Sequence, residues 1–131
     1  MKEPTQGGMC ELFIALMVVA VIAVIALKNQ PAAEQIEMEI TAYCPCEKCC
    51  GDWADGFFAD GSPVGGKAIA ADTSIYPFGT VFSVPGYGVA TVKDRGGAIK
   101  GNRLDLYFDT HQEALNWGRR TLTVEITKEP K

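Results

Sequence analysis

The chain has 131 residues, and this length predicts a single folded domain. A net charge of −4 and a pI near 4.9 argue against a nucleic-acid partner, which would favour a basic face. The hydrophobic share of 47% and charged share of 21% are ordinary for a globular protein.

The N-terminal part of the chain contains one apolar segment, residues 12–27, with sixteen residues and no charge or proline. About 20 apolar residues span a bilayer comfortably, and about 17 is the lower limit. The segment is just long enough to span a bilayer once Met9, Cys10 and the flanking charged residues, whose side chains can extend to the membrane surface, are included. We predict a transmembrane signal anchor over 12–28, after an N-terminal tail at 1–11. The flanking charges are too balanced to set its orientation.

Three other interpretations of this segment remain open: a cleaved signal peptide, a lipoprotein signal and a buried core helix. The best cleavage site, Pro-Ala-Ala at 31–33, is poor, and Cys10 precedes the apolar run whereas a lipoprotein cysteine follows it. A buried helix of a soluble domain would have a polar face, which this segment lacks. These observations favour the uncleaved anchor.

A folded domain is predicted over 36–127, between a polar linker at 29–35 and a C-terminal tail at 128–131. Residues 36–43 alternate between apolar and polar, which is typical of a half-buried strand. A long loop rich in Cys, Gly, Asp and Pro follows, and such loops are usually functional or cross-linked. Further strands are predicted at 67–71, 80–84, 89–93, 104–108 and 121–127.

Only one helix is expected in this domain. Thr110 and Glu113 match a capping box, and Gly118 is placed to end the helix. Six short strands and one short helix in about 90 residues predict a mainly β fold, a small six-stranded barrel.

Two aspartates border a glycine-rich stretch between the fourth and fifth predicted strands. Asp94 ends one strand and Asp105 lies early in the next, so the crossover can bring both carboxylates to one side of the barrel. Asp105 lies between Leu104 and Leu106, and strand geometry directs its side chain to the opposite face. If that face is partly enclosed, desolvation and Asp94 would raise the pKa of Asp105, as a general acid requires. A third acid, Asp72, ends another strand, and ordinary turn aspartates are the alternative interpretation.

Four stretches resemble the 3D domain, a family named for three aspartates and found in MltA-type lytic transglycosylases and small cell-wall proteins of bacteria and phages. They are Ala70-Ala71-Asp72, Pro77-Phe78-Gly79-Thr80, Lys-Asp-Arg-Gly-Gly-Ala-Ile-Lys-Gly at 93–101, and Arg103-Leu104-Asp105. The resemblance runs from about residue 40 to residue 126. It implies a double-psi β-barrel in which Asp72, Asp94 and Asp105 are the three named acids and Asp105 is the acid/base.

The resemblance also implies a reaction, cleavage of the β-1,4 bond between N-acetylmuramic acid and N-acetylglucosamine with a 1,6-anhydro product. Asp94 would tune Asp105 or stabilise the oxocarbenium ion. The weaker candidates for glycan binding are Lys100, Arg103, Tyr107 and, for sugar stacking, Trp53.

The expected partners are peptidoglycan glycan strands and, through the anchor, a membrane. The expected protein is a monomer without a cofactor, on the cell-wall side of a bacterial cytoplasmic membrane and encoded by a bacterium or a phage. Two other functions remain open, a non-catalytic glycan-binding or scaffolding barrel and a redox or metal protein built on the cysteines.

Four cysteines occur within seven residues directly after the first strand, at Cys44, Cys46, Cys49 and Cys50. A structural zinc site usually draws ligands from two separated segments, and the sequence shows no second Cys/His segment. The single histidine, His111, is expected to be an exposed polar residue at the start of the helix. We therefore favour disulfides with undetermined pairing, in an oxidising exterior, and predict no metal.

Overall fold

The computed structural model describes residues 8–28 and 33–130, which belong to two compact units divided after residue 32. In the first unit, helix α1 spans Gly8–Lys28. Its apolar side chains are exposed, and Met9–Lys28 has a mean hydropathy of 2.9. With a rise of about 1.5 Å per residue the helix is about 30 Å long, enough to cross a membrane. A signal sequence has the same properties.

The second unit, residues 33–130, is a closed barrel of six strands in the order β1-β5-β2-β4-β3-β6. Strands β1 with β5 and β2 with β4 are parallel, and the other neighbours are antiparallel. The strands are β1 Glu34–Tyr43, β2 Ala68–Ala71, β3 Val81–Val84, β4 Gly88–Asp94, β5 Arg103–Tyr107 and β6 Arg120–Lys128.

Two helices accompany the strands in the barrel unit. Helix α3, His111–Trp117, has the predicted capping box, because the Thr110 hydroxyl accepts from the backbone N–H of Glu113 and the Glu113 carboxylate accepts from that of Thr110. Helix α2, Glu47–Cys50, is a single turn in the loop after β1, followed by a 3-10 turn. Helix α2 was not predicted, since this segment was expected to be part of a long loop.

The barrel has a distinct inside and outside, set by the alternation of side chains along each strand. Leu104 and Leu106 on β5 are fully buried inside, together with Met38 and Ile40 on β1. A second, smaller cluster covers the outer face of β1, β5 and β2 and consists of Tyr43, Phe58, Ala68, Ala70 and Tyr107. The prediction of a mainly β protein built as a six-stranded barrel is confirmed, and α3 is the short helix that was predicted.

Candidate active site

A cleft of about 770 Å³ lies on the outer face of the barrel, where strands β1, β5, β2 and β4 are neighbours. The cysteine-rich loop, residues 44–66, forms one wall, and the crossover loop, residues 95–102, forms another. Phe58 anchors the cysteine-rich loop, because its buried ring contacts Tyr107 edge-on at 5.1 Å. The cleft is therefore built on the rigid sheet and enclosed by the two loops that carry its conspicuous sequence motifs.

Asp94 and Asp105 both line this cleft, one on each side of Ala70. Strand β2 lies between β4 and β5, and Ala70 is paired with Asp94 on one neighbour and with Asp105 on the other. Two strand spacings separate the acids, which places their Cα atoms about 10 Å apart. The small Ala70 side chain leaves the space between them open.

A bulge in β4 directs Asp94 into the cleft. Ile69 pairs with Val92, but the next residue of β2, Ala70, pairs with Asp94, so Lys93 is an extra residue. In a regular strand Asp94, two residues after Val92, would have the same orientation as Val92, which is buried in the barrel interior. Bulges of this kind are common beside active sites because they redirect one side chain.

Asp105 is half-buried on the outer face, opposite Leu104 and Leu106 as the alternation predicted. Burial raises the pKa of Asp105 to about 6. A hydrogen bond from the Thr41 hydroxyl, 3.0 Å from Oδ1, and the positive charge of Arg103 oppose this shift, whereas the negative charge of Asp94 adds to it. The carboxyl group can therefore be protonated or ionised close to neutral pH.

Asp94 is held in place by three hydrogen-bond donors. The Tyr43 hydroxyl donates to Oδ2 at 2.7 Å, and the backbone N–H groups of Ala59 and Arg95 donate to Oδ1 at 3.1 and 2.9 Å. Burial raises the pKa of Tyr43 above its usual range, and the hydrogen bond to Asp94 raises it further, so the phenol remains a donor. The bond from Ala59 also fastens the cysteine-rich loop to β4.

The third predicted acid, Asp72, is not among the residues that line the cleft. Only 8% of Asp72 is exposed, and its carboxylate accepts from the Ser74 hydroxyl at 2.6 Å and from the Gly101 N–H at 3.0 Å. The Ser74 hydrogen bond, followed by that from Gly101, lowers the pKa of Asp72. Asp72 thus connects the turn after β2 to the end of the crossover loop.

The predicted glycan-binding residues divide into two pairs. Trp53, which is 82% exposed, and the exposed Lys100 both line the cleft. Arg103 forms an ion pair with Glu39 at 2.9 Å and donates to the carbonyl of Ala98, so it supports the crossover loop.

Tyr107, the other residue of the second pair, is buried beneath the cleft. Its ring contacts that of Tyr43 edge-on at 5.8 Å, in the outer-face cluster. Tyr107 and Arg103 therefore support the walls of the cleft.

The predicted disulfides are absent. Within residues 8–28 and 33–130 every cysteine is a free thiol, including Cys44, Cys46, Cys49 and Cys50. The Cys44 and Cys46 sulfurs are 2.8 Å apart, well beyond the bond length of about 2.05 Å. His111, which was expected to be an exposed polar residue, is half-buried and belongs to a second segment beside the cysteines, within hydrogen-bonding distance of three of these sulfurs.

Three residues that matter to this region, Thr41, Tyr43 and His111, were not predicted to belong to it. The first two had a signal, since they alternate with buried positions on the strand predicted at 36–43 and so share its outer face. His111 had none, because its position beside the cysteines depends on the pairing of two strands that are distant in sequence.

The comparison with protein families gives a specific match. The model of the 3D domain matches residues 67–128, which include all three aspartates. This chain carries a 3D domain. The prediction of the family from the four sequence stretches is therefore confirmed.

Two curated relatives come from Bacillus subtilis (strain 168). The chain is 35% identical over 104 residues to a putative cell wall shaping protein, YabE, covering 79% of this chain and 25% of the relative. It is 37% identical over 99 residues to the cell wall-binding protein YocH, covering 75% of this chain and 34% of the relative. The chain thus spans about a quarter to a third of the length of these relatives.

Among solved structures, the barrel is similar to the crystal structure of MltA from Escherichia coli. The TM-score is 0.46 and the identity is 28%, over 56% of this chain and 28% of the MltA chain.

Proposed function

We propose that this 3D domain cleaves bacterial peptidoglycan as a lytic transglycosylase-like enzyme, with Asp105 as its single acid/base. The observation that carries the proposal is a half-buried carboxyl group with a pKa raised to about 6, inside a cleft large enough for sugar residues. The 3D domain and the similarity to two Bacillus cell-wall proteins support the substrate class.

The proposed reaction needs one group that first donates and then accepts a proton. Protonated Asp105 donates its proton to the oxygen that joins N-acetylmuramic acid to N-acetylglucosamine, and the bond from muramic acid C1 to that oxygen breaks. The ionised Asp105 then takes the proton of the muramic acid C6 hydroxyl as O6 bonds to C1. The products are a 1,6-anhydromuramic acid end and a free N-acetylglucosamine end, and Asp105 is again protonated.

A single carboxyl group suffices because the nucleophile belongs to the substrate. Glycosidases that use water or an enzyme nucleophile need two carboxyl groups at a defined separation. A pKa of about 6 suits both proton transfers near neutral pH. The partial burial of Asp105 is therefore the property on which the mechanism depends.

Asp94 has an electrostatic role in this proposal. Its three donors hold the carboxylate in one orientation, and its negative charge raises the pKa of Asp105. The same charge favours the positive oxocarbenium character that develops at C1 in the transition state. Asp72, which lies outside the cleft lining, contributes by positioning the crossover loop.

The exposed Trp53 and Lys100 are the proposed glycan contacts. An indole ring offers a flat apolar surface on which a sugar ring can stack. Lys100 offers a positive charge to the acidic groups of peptidoglycan. Arg103 and Tyr107 act indirectly, through the crossover loop and the aromatic cluster beneath the cleft.

The proposed location follows from the substrate. Peptidoglycan lies outside the cytoplasmic membrane, so the barrel belongs on that side, with α1 as its anchor. The length and hydropathy of α1 support the anchor. We propose that the protein works there as a monomer.

A second candidate function is binding to peptidoglycan without cleavage. The observation that favours it is the similarity to YocH, a cell wall-binding protein to which the chain is 37% identical over 99 residues. In that case the cleft would hold glycan while Asp105 served no chemical role.

One experiment separates the two functions. The full chain in detergent is incubated with purified peptidoglycan, the sediment is assayed for bound protein, and the supernatant is analysed by mass spectrometry. Release of 1,6-anhydromuropeptides is the expected result. Sedimentation with peptidoglycan without any such product would overturn the enzymatic proposal in favour of binding.

A further inference from the structure

Four potential metal ligands converge where the cysteine-rich loop meets helix α3. The sulfurs of Cys44, Cys46 and Cys49 and a ring nitrogen of His111 all lie within 4.8 Å of one another. The His111 Nδ1 atom is 3.5 Å from the Cys44 sulfur, 3.5 Å from that of Cys46 and 3.4 Å from that of Cys49. The imidazole nitrogen thus faces all three sulfurs at nearly equal distances.

The barrel topology brings His111 to the cysteines. Strands β1 and β5 are parallel neighbours, with Tyr43 paired to Tyr107, so both strands end at the same edge. The backbone N–H of Phe108 donates to the Tyr43 carbonyl at 2.8 Å and extends this pairing by one residue. Cys44 directly follows β1 and His111 begins α3 shortly after β5, which places the two side by side.

Helix α2 and Cys46, the residue that caps its N-terminus, supply the other two sulfurs. The backbone N–H groups of Cys49 and Cys50 donate to the Cys46 carbonyl at 3.0 and 2.9 Å. The sulfurs of Cys46 and Cys49 lie on the same side of this turn, since both contact the Cys44 sulfur and the His111 ring. Cys50 is directed elsewhere, because its thiol donates to the Cys44 carbonyl at 3.2 Å and it lines the cleft.

The spacing of these atoms fits a tetrahedral ion. With zinc–sulfur bonds of about 2.3 Å and zinc–nitrogen bonds of about 2.0–2.1 Å, a tetrahedral site requires sulfur–nitrogen distances of about 3.5–3.6 Å. The three observed distances are 3.4–3.5 Å. The Cys44 sulfur is 2.8 Å from the Cys46 sulfur and 3.4 Å from the Cys49 sulfur. Two sulfurs bound to one tetrahedral zinc ion are about 3.8 Å apart, so an ion would move these sulfurs slightly apart.

We propose that Cys44, Cys46, Cys49 and His111 form a structural zinc site. Three thiolates and an imidazole are the soft and borderline ligands that zinc prefers, and four protein ligands leave no position open for a substrate. The site would fasten the cysteine-rich loop to α3. Because Cys50 and Trp53 follow the ligand Cys49 closely, the ion would also brace one wall of the cleft.

The proposal is tested by metal analysis of the full chain, purified in detergent under reducing conditions without chelators. The expected result is one zinc ion per chain. After exchange for cobalt, the protein should show the strong visible absorption of a tetrahedral cobalt–thiolate site. Colourless protein with disulfides between these cysteines, or protein that binds no zinc when it is added to the reduced chain, would overturn the proposal.

Matched variants assign the ligands. Losing an outer-shell partner of a zinc ligand already costs about 10–100-fold in affinity, so His111→Gln and Cys49→Ser should weaken zinc binding by at least about tenfold. Cys50→Ser and Cys10→Ser, which replace cysteines outside the cluster, should keep the ion and the cobalt spectrum. Equal loss of zinc in Cys50→Ser and Cys49→Ser would contradict the ligand assignment.

A measurement on the unaltered chain gives an answer even if a ligand variant fails to fold. Zinc should slow alkylation of Cys44, Cys46 and Cys49 relative to Cys10, and a chelator should abolish that protection. Alkylation rates that zinc and the chelator leave unchanged would overturn the site. None of these measurements involves peptidoglycan, so their outcome is independent of the proposed enzymatic function.

Discussion

The Tyr43 hydroxyl donates a 2.7 Å hydrogen bond to the carboxylate of Asp94, and this bond links the ends of two strands beneath the cleft. Tyr43 ends β1, whereas Asp94 ends β4, and the two strands are not adjacent in the barrel. The bond crosses the outer face of the sheet, above β5 and β2. The two acids that line the cleft are therefore supported from β1, since Thr41 on the same strand donates to Asp105.

Removing the hydroxyl in Tyr43→Phe should destabilise the barrel. A hydrogen bond to a charged group contributes about 1.5–3 kcal/mol, and Tyr43 is buried, so we expect a loss of about that size. Urea unfolding of the barrel is the measurement, and Tyr76→Phe is the matched control. Tyr76 is also buried, but within residues 33–130 its hydroxyl has no hydrogen-bond partner. Equal stability of the two variants would contradict the role of the bond.

Asp105→Asn should stabilise the barrel at pH 7. Burial raises the pKa of Asp105 from 3.8 to about 6, so the folded state binds the proton more tightly than the unfolded state. The stabilising contribution of this group is therefore fully present below about pH 4 and is lost as the pH rises through about 6. The shift corresponds to at most about 3 kcal/mol, and partial solvation reduces this to about 1–2 kcal/mol.

Unfolding free energies at pH 4 and pH 7 test this expectation. The difference between Asp105→Asn and the unaltered protein should be present at pH 7 and small at pH 4. Asp52→Asn, a change at an exposed aspartate of the cysteine-rich loop, should have no such pH-dependent effect. A destabilised Asp105→Asn variant at pH 7 would show that burial does not penalise the ionised carboxylate.

The rate of peptidoglycan cleavage should fall as the pH rises above about 6. Asp105 must be protonated to donate to the glycosidic oxygen, so its ionisation lowers the active fraction about tenfold per pH unit. Within the described residues, the titratable groups whose charges interact with Asp105 are Asp94, Arg103, Tyr43 and Cys50.

Asp94→Asn gives a sharper form of the same prediction. Because the negative charge of Asp94 raises the pKa of Asp105, its removal should move the decline of the profile to lower pH. The measurement is the initial rate of 1,6-anhydromuropeptide release as a function of pH. A profile that stays in place, or that moves to higher pH, would contradict the coupling of the two acids.

The barrel could be predicted from sequence because its strands alternate clearly between buried and outward positions. Leu104 and Leu106 point inward, so the outward direction of Asp105 followed from the local pattern alone. The family resemblance then selected the three aspartates from the other acidic residues.

Other features depend on pairing between distant strands and could not be predicted locally. The bulge at Lys93 appears only when β4 is aligned with β2. The contact of His111 with the cysteines requires the parallel pairing of β1 with β5, across more than 60 residues. The acids could therefore be predicted from sequence, whereas the groups that hold them and the place of His111 in the cysteine cluster could not.

The central claim, that Asp105 is the acid/base, is tested most directly by comparing Asp105→Asn with Asp52→Asn in the full chain. The measurement is the rate of 1,6-anhydromuropeptide release from purified peptidoglycan, with unfolding curves to establish that both variants are folded. A positioned acid/base contributes about 10²–10⁴-fold to a rate, so Asp105→Asn should lose at least about 10²-fold while Asp52→Asn keeps its activity. A folded Asp105→Asn variant that releases the anhydro product at the rate of the unaltered protein would contradict the account.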